Sequence, residues 1–134
     1  MPSAYPAMKF PVARAEFPAL VLIVDSEPLV CWALTMGLRL AGFDAVAAAT
    51  ARDAVARAAA RPAPTVILMD AGMRECDPLV LTSALHYAAP AARIVALATG
   101  DEPRGCTYGI GEVIYKPFDL PEVVAAINRI ASVR

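Results

Sequence analysis

The sequence predicts an α/β fold built on a doubly wound, five-stranded parallel sheet, and three observations carry that expectation. From residue 19 onward, strand-like and helix-like segments alternate five times, the pattern of βαβ units. Val66-Ile67-Leu68-Met69 is an unbroken apolar run of strand length, which reads as a strand covered on both faces. Near the end of the chain, Asp119 followed three residues later by Glu122 forms a capping box that opens a closing helix.

The elements follow in order. Strands are expected near 20–24, 43–47, 65–69, 93–97 and 112–115. The first helix starts at Pro28, a residue suited to an early helical position, and stops at Gly42. Leu29, Ala33, Met36 and Leu40 share one face of it and are expected to form its apolar stripe, with Trp32 off that stripe and partly exposed. The second helix, about 51–60, is mostly Ala; Thr50 caps it, Arg52, Asp53 and Arg57 face solvent, and Pro62 ends it. The third, from about 78 to 88, is capped by Asp77 and draws its apolar face from Leu79, Ala84, Leu85 and Ala88. In the last helix Leu120, Val123, Val124, Ile127 and Ile130 recur at helical spacing, and Phe118 is placed to staple onto Val123. Between the fourth and fifth strands, Gly100, Pro103, Gly105, Gly109 and Gly111 oppose helix formation, so at most a turn or two of helix is expected there.

The 134 residues suit one domain, which buries roughly two-thirds of the surface its unfolded chain exposes. Although 58% of the residues are hydrophobic, no run reaches the roughly 18 to 20 residues of a membrane span, so a soluble protein without membrane contact is expected. The net charge is −1 and the basic residues are scattered, which argues against direct nucleic-acid binding. Cys31, Cys76 and Cys106 show no paired spacing and read as free thiols of a cytoplasmic protein. Pro2, Pro6, Pro11 and Pro18 make residues 1–18 a flexible, Pro-rich N-terminal arm, with Tyr5, Phe10 and Phe17 as candidate docking groups. Residues 19–134 form the domain.

Functional groups gather at strand ends. Open α/β sheets keep their ligands beyond the carboxyl ends of their strands. Asp70 closes the third strand, Asp25-Ser26-Glu27 follows the first, and Lys116-Pro117 follows the fifth. Alone, each residue reads as a turn former or a surface charge. Together they outline a pocket with two acids and one lysine.

These segments resemble the receiver domain of bacterial two-component response regulators over about residues 19–133. Val-Asp-Ser-Glu-Pro at 24–28 is similar to the family's acidic cluster, and Ile-Leu-Met-Asp at 67–70 to its phosphoacceptor strand. Met73 through Leu79 follows the next motif in register, and Tyr-Lys-Pro-Phe-Asp at 115–119 resembles the Lys-Pro-Phe signature. The resemblance implies the flavodoxin-like strand order 2-1-3-4-5 with a shortened helix after the fourth strand. It implies Asp70 as phosphoacceptor and Lys116 as its catalytic and phosphate-pairing partner. Asp25, Asp70 and the carbonyl of Gly72 become ligands of Mg²⁺, and the Lys116–Pro117 peptide is expected to be cis.

Four positions depart from the family pattern. Ser26 replaces the second acid, which removes a hard ligand and predicts weak Mg²⁺ binding. The hydroxyl position that ends the fourth strand is Ala98, with Thr99 one place later as the candidate phosphate-binding residue. The aromatic switch position is Val113, with Tyr115 directly before the lysine. The link between the fourth and fifth strands is about four residues shorter than the family pattern, counted between its motifs.

The expected function is a single-domain response regulator, not an enzyme. It takes a phosphoryl group on Asp70 from a histidine kinase or phosphotransfer protein and signals to a downstream protein by contact. The competing reading is a pseudo-receiver, an interaction module independent of phosphorylation. A phosphoester hydrolase using Asp70 is a remote third, since no Gly-rich phosphate loop follows the first strand and Gly72 stands where such an enzyme needs a second Asp. A homodimer through the first or last helix is compatible with the pattern.

Overall fold

A computed structural model describes residues 13–102 and 110–132. Five parallel strands, β1 (Leu20–Val24), β2 (Asp44–Ala48), β3 (Val66–Asp70), β4 (Arg93–Ala98) and β5 (Glu112–Tyr115), form one sheet in the order β2-β1-β3-β4-β5. Among the described residues there are four helices: α1 (Pro28–Ala41), α2 (Ala51–Ala59), α3 (Pro78–Ala88) and α4 (Leu120–Ala131). The expected architecture and strand order are the observed ones. None of these helices is long and apolar enough to cross a membrane.

Because side chains alternate along a strand, each central strand feeds two cores. Val21, Ile23, Leu68, Val95 and Leu97 pack beneath α1 and α4, with Leu34, Leu38, Val124 and Ile127. On the opposite face, Leu22, Val24, Ile67 and Met69 pack with Ala54, Ala58, Leu81 and Leu85 of α2 and α3. Removing one of these leucines to alanine costs about 2–5 kcal/mol in a close-packed interior.

The caps read from the sequence are in place. Thr50 accepts from the N–H of Asp53, Asp77 from Leu79, and Asp119 from Glu122. Gly42 ends α1 at φ 106°, a left-handed conformation that favours glycine, and its N–H bonds back to Leu38 and Arg39. Phe118 and Val123 join the same core cluster.

The first helix corrects its expected orientation. The stripe of Leu29, Ala33, Met36 and Leu40 faces outward, whereas Leu34, Leu38 and Ala41 are buried. Both sides of α1 are apolar, and α4 decides between them. Leu120 of α4 lies 2.8 Å from where a Cβ at residue 37 would stand, so Gly37 lets the two helices close on that side. In α3 the buried residues are Leu81, Thr82 and Leu85, with Leu79 exposed instead of inward.

Residues 13–18, the last part of the expected arm 1–18, lie along the domain as a strap. Ala15 N–H donates to Ala41 at 2.8 Å. The buried Asn128 of α4 accepts from Glu16 N–H at 2.9 Å and donates to Arg14 at 2.8 Å. Ala13 and Ala15 pack on the α1–α4 core. Residues 1–12, with Tyr5 and Phe10, lie outside the described residues, as do Cys106 and the Pro- and Gly-rich stretch 103–109. Residues 99–102 and 110–111 contain no helix.

Candidate functional site

Strand register explains why three distant segments meet. Val24 of β1 is level with Met69 of β3, so the next residues, Asp25 and Asp70, stand side by side at the carboxyl edge. Ala98 of β4 is level with Tyr115 of β5, and Lys116 N–H donates to Ala98 at 2.7 Å. The edge opens into a cleft of about 830 Å³ whose walls include Ser26, Asp70, Gly72, Thr99, Glu102 and Lys116.

Lys116 reaches across β4 to Asp70. Its Nζ lies 3.1 Å from Asp70 Oδ1, and Gly72 N–H donates to the same oxygen at 3.1 Å. The Asp70 side chain is largely covered and that of Lys116 about one-third exposed, so the pair is screened less than a surface ion pair. The Lys116–Pro117 peptide is cis, as expected.

Asp25 lies beneath this pair, 1% exposed. Its Oδ1 accepts from Glu27 N–H at 2.8 Å, while Oδ2 is buried with no hydrogen-bond partner. Burial pushes its carboxyl above the usual aspartate range; the Glu27 N–H lowers it, the Asp70 charge raises it further and Lys116 draws it back. A buried carboxylate oxygen without a donor is a costly arrangement that a cation relieves. Asp25, Asp70 and the carbonyl of Gly72 supply oxygen donors of the kind Mg²⁺ accepts, usually with several waters retained, so the residues present fit such an ion. Ser26 is exposed beside them and contributes no charge. Among the described residues no group of three or more His, Cys, Asp and Glu side chains forms an all-protein metal cage.

The β4 side of the cleft is organised differently. Thr99 lines the cleft, yet its hydroxyl is bonded to Glu102 Oε1 at 3.0 Å, and its N–H donates to the same oxygen at 2.5 Å. Gly100 N–H donates to Glu102 Oε2 at 2.9 Å. Burial works against ionisation of Glu102, but these hydrogen bonds outweigh it and hold the carboxyl below the usual glutamate range. Glu102 escaped the sequence reading, although a Thr-Gly-Asp-Glu run after a strand is a recognisable turn in which a carboxylate folds back onto free N–H groups.

The candidate aromatic is outside the cleft: Tyr115 is 61% exposed. Val113, at the position where the pattern calls for an aromatic, packs with Ala71, Ala96 and Ala98. Cys31 donates its thiol to the Asp25 carbonyl, and burial followed by the Asp25 charge raises its pKa. Cys31 and Cys76 are free thiols.

Comparison with known proteins agrees with this geometry. The family model of the response regulator receiver domain matches residues 21–128. A probable transcriptional regulatory protein of Mycobacterium tuberculosis, TcrX, is 30% identical over 115 residues, covering 83% of this chain and 49% of that protein. The transcriptional regulatory protein KdpE of the same species is 30% identical over 112 residues, covering 81% and 49%. The chain thus spans about half the length of the curated relatives it matches. Among solved structures, the Vibrio cholerae chemotaxis protein CheY4 superposes with a TM-score of 0.73 at 25% identity, over 85% of this chain and 99% of that one.

Proposed function

The chain belongs to the response regulator receiver domain family, and from that premise we propose that it accepts a phosphoryl group on Asp70 and signals through protein contacts. One observation carries the proposal: Lys116 Nζ stands 3.1 Å from the Asp70 carboxylate at the convergence of β3 and β5, above a buried acid with an unsatisfied oxygen.

The donor is the phosphohistidine of a histidine kinase or phosphotransfer protein, the partner class of receiver domains. An Asp70 oxygen attacks phosphorus, the P–N bond breaks, and the imidazole leaves with the electron pair. The product is an aspartyl phosphate, which water later hydrolyses to restore Asp70 and release inorganic phosphate. Catalysis here is mostly positioning and charge neutralisation. Lys116 moves from a carboxylate partner to a phosphoryl-oxygen partner, keeping a cation beside the transferred group. Asp25, Asp70 and the carbonyl of Gly72 would hold Mg²⁺, which would supply positive charge to offset that of the transferred group. With Ser26 in place of an acid its binding is weak.

Thr99 serves as a phosphate ligand only after Glu102 releases its hydroxyl and N–H, so the Glu102 contacts oppose the phosphorylated state. That engagement favours a second reading, a phosphorylation-independent interaction module. In either reading the chain works in the cytoplasm and turns over no separate substrate.

The experiment is exposure to acetyl phosphate with Mg²⁺, read by intact mass. The expected result is a gain of one phosphoryl group in the native chain and none in Asp70→Asn. A native chain that takes up no phosphoryl group, and whose beryllofluoride-treated form is spectroscopically identical to the untreated one, refutes phosphoacceptance and leaves the interaction module.

A further inference from the structure

We propose that Arg74 is a binding residue for the phosphoryl group of the donor, gripping its oxygens before transfer to Asp70. The inference rests on the reading of Asp70 as phosphoacceptor and adds to it a cation from the loop between β3 and α3.

The charges in the cleft walls are unequal. Five of the side chains that line it are carboxylates, and two are cations, Lys116 and Arg74. A donor presenting a phosphoryl dianion therefore approaches a wall of its own sign, and the cation free to meet it governs how well it binds. Lys116 is already bound to Asp70 at 3.1 Å. The ion pairs among the described residues leave Arg74 out, and its guanidinium has no hydrogen-bond partner among them. Of the two cations in the walls, Arg74 is the uncommitted one.

Its surroundings explain both why it is free and how it is held. Three of the carboxylates that could neutralise it are engaged elsewhere: Asp70 with Lys116, Glu102 with Thr99 and Gly100, and Glu75 with the start of α2, where it accepts from Ala51 N–H at 2.5 Å. The loop is fastened on both sides of residue 74. Gly72 N–H is bonded to Asp70, and Met73 is buried among the side chains of α2 and α3. Beyond residue 74, Glu75 clips the loop to α2 and Asp77 caps α3. The exposed side chain of Arg74 thus starts from a fixed point, four residues from the acceptor. A group positioned in advance loses less freedom when it grips a ligand.

The chemistry suits the group. A guanidinium presents a planar fork of N–H donors that matches two oxygens of a phosphoryl group and stays charged at any working pH, whereas the Lys116 ammonium is a point charge. With Ser26 leaving the Mg²⁺ site one acid short, a second protein cation offsets charge that a weakly held ion covers less well. Arg74 neither gives nor takes a proton: an Asp70 oxygen attacks phosphorus and the leaving group departs with the electron pair. Because the grip is on the phosphoryl group and not on the leaving group, it serves an acyl phosphate and a phosphoramidate alike.

The test compares the native chain with Arg74→Ala, Arg74→Lys and Arg74→Glu. Each is labelled with acetyl phosphate and, separately, with phosphoramidate, over a range of donor concentrations at constant ionic strength with Mg²⁺, and followed by time-resolved intact mass. With both donors, the rate per unit of donor at low concentration is expected to fall about tenfold in Arg74→Ala and further in Arg74→Glu, with Arg74→Lys intermediate. The rate at saturating donor and the circular dichroism are expected to stay unchanged. Three outcomes overturn the proposal: equal rates at low donor in all four chains, a loss confined to the saturating rate, or a loss with only one of the two donors, which assigns Arg74 to the leaving group. A native chain that is not labelled at all refutes Asp70 as phosphoacceptor, and the Arg74 site is then judged by titration with inorganic phosphate, read by amide NMR of the loop. Shifts in the native chain that vanish in Arg74→Ala uphold it as an anion site; shifts in neither chain, or equal shifts in both, overturn it.

Discussion

On one flank of the cleft, Asp70, Lys116 and Asp25 are held by each other and by the strand ends that carry them; on the other, the donors of Thr99 and Gly100 are taken up by Glu102. The first flank is built from β1, β3 and β5, whose hydrogen-bonded register sets its geometry. The second is a turn after β4, set by a carboxylate three residues from the hydroxyl it binds. The groups proposed for phosphoryl transfer thus sit at the ends of hydrogen-bonded strands. Thr99, the proposed phosphate ligand, sits on a turn that already holds an anion of its own. In the proposed transfer a phosphoryl group on Asp70 would compete with Glu102 for these donors, whereas Lys116 would need only to change partner.

Four substitutions probe this contrast. Lys116→Ala removes the only cation bonded to Asp70 among the described residues and is expected to lower the rate of acetyl phosphate labelling about 100-fold, measured by time-resolved intact mass. Retention of the native rate places charge neutralisation elsewhere and dissolves the distinction between the flanks. Ser26→Asp restores a hard ligand beside Asp25 and is expected to tighten Mg²⁺ about tenfold, about 1.4 kcal/mol, by titration of Trp32 emission. Unchanged affinity removes position 26 from the ligand set.

On the opposite flank, Glu102→Gln weakens the internal anion while keeping its shape. Beryllofluoride affinity is expected to rise about two- to fivefold, since a charge-assisted hydrogen bond is replaced by a neutral one. A fall in affinity would make Glu102 a support for the phosphorylated state. The last effect concerns stability. Asp25 is protonated more readily folded than unfolded, so without metal its contribution favours the folded state at low pH and is lost as pH rises through its raised value. Asp25→Asn is expected to raise apo stability at neutral pH by about 1 kcal/mol and to flatten this dependence, read by thermal melts across pH, while abolishing the Mg²⁺ response. A steeper profile in the variant reverses the assignment of Asp25 as the costly charge.

Much of this was legible in the chain because it is local. The Val66–Met69 run, the caps at Thr50, Asp77 and Asp119 and the stop at Gly42 each lie within a few residues of the structure they specify. Asp25, Asp70 and Lys116 could be singled out because strand ends in a parallel sheet share one edge. Thr99, singled out by its place after the fourth strand, lines the cleft, but its bond to Glu102 depends on how the turn folds back. Asn128, which ties the 13–18 strap to α4, carries no local signal at all, because its partners lie more than one hundred residues away.

The sequence alone determined the five strands, the helix ends and the polar residues at the strand edge, since each follows from short-range periodicity, capping chemistry and the alternation of side chains along a strand. Only the tertiary structure decided which side of α1 meets the sheet and which donors Glu102 holds. Periodicity tells which residues share a face, and when both faces of a helix are apolar the choice between them falls to the neighbour that fits, here α4 against Gly37.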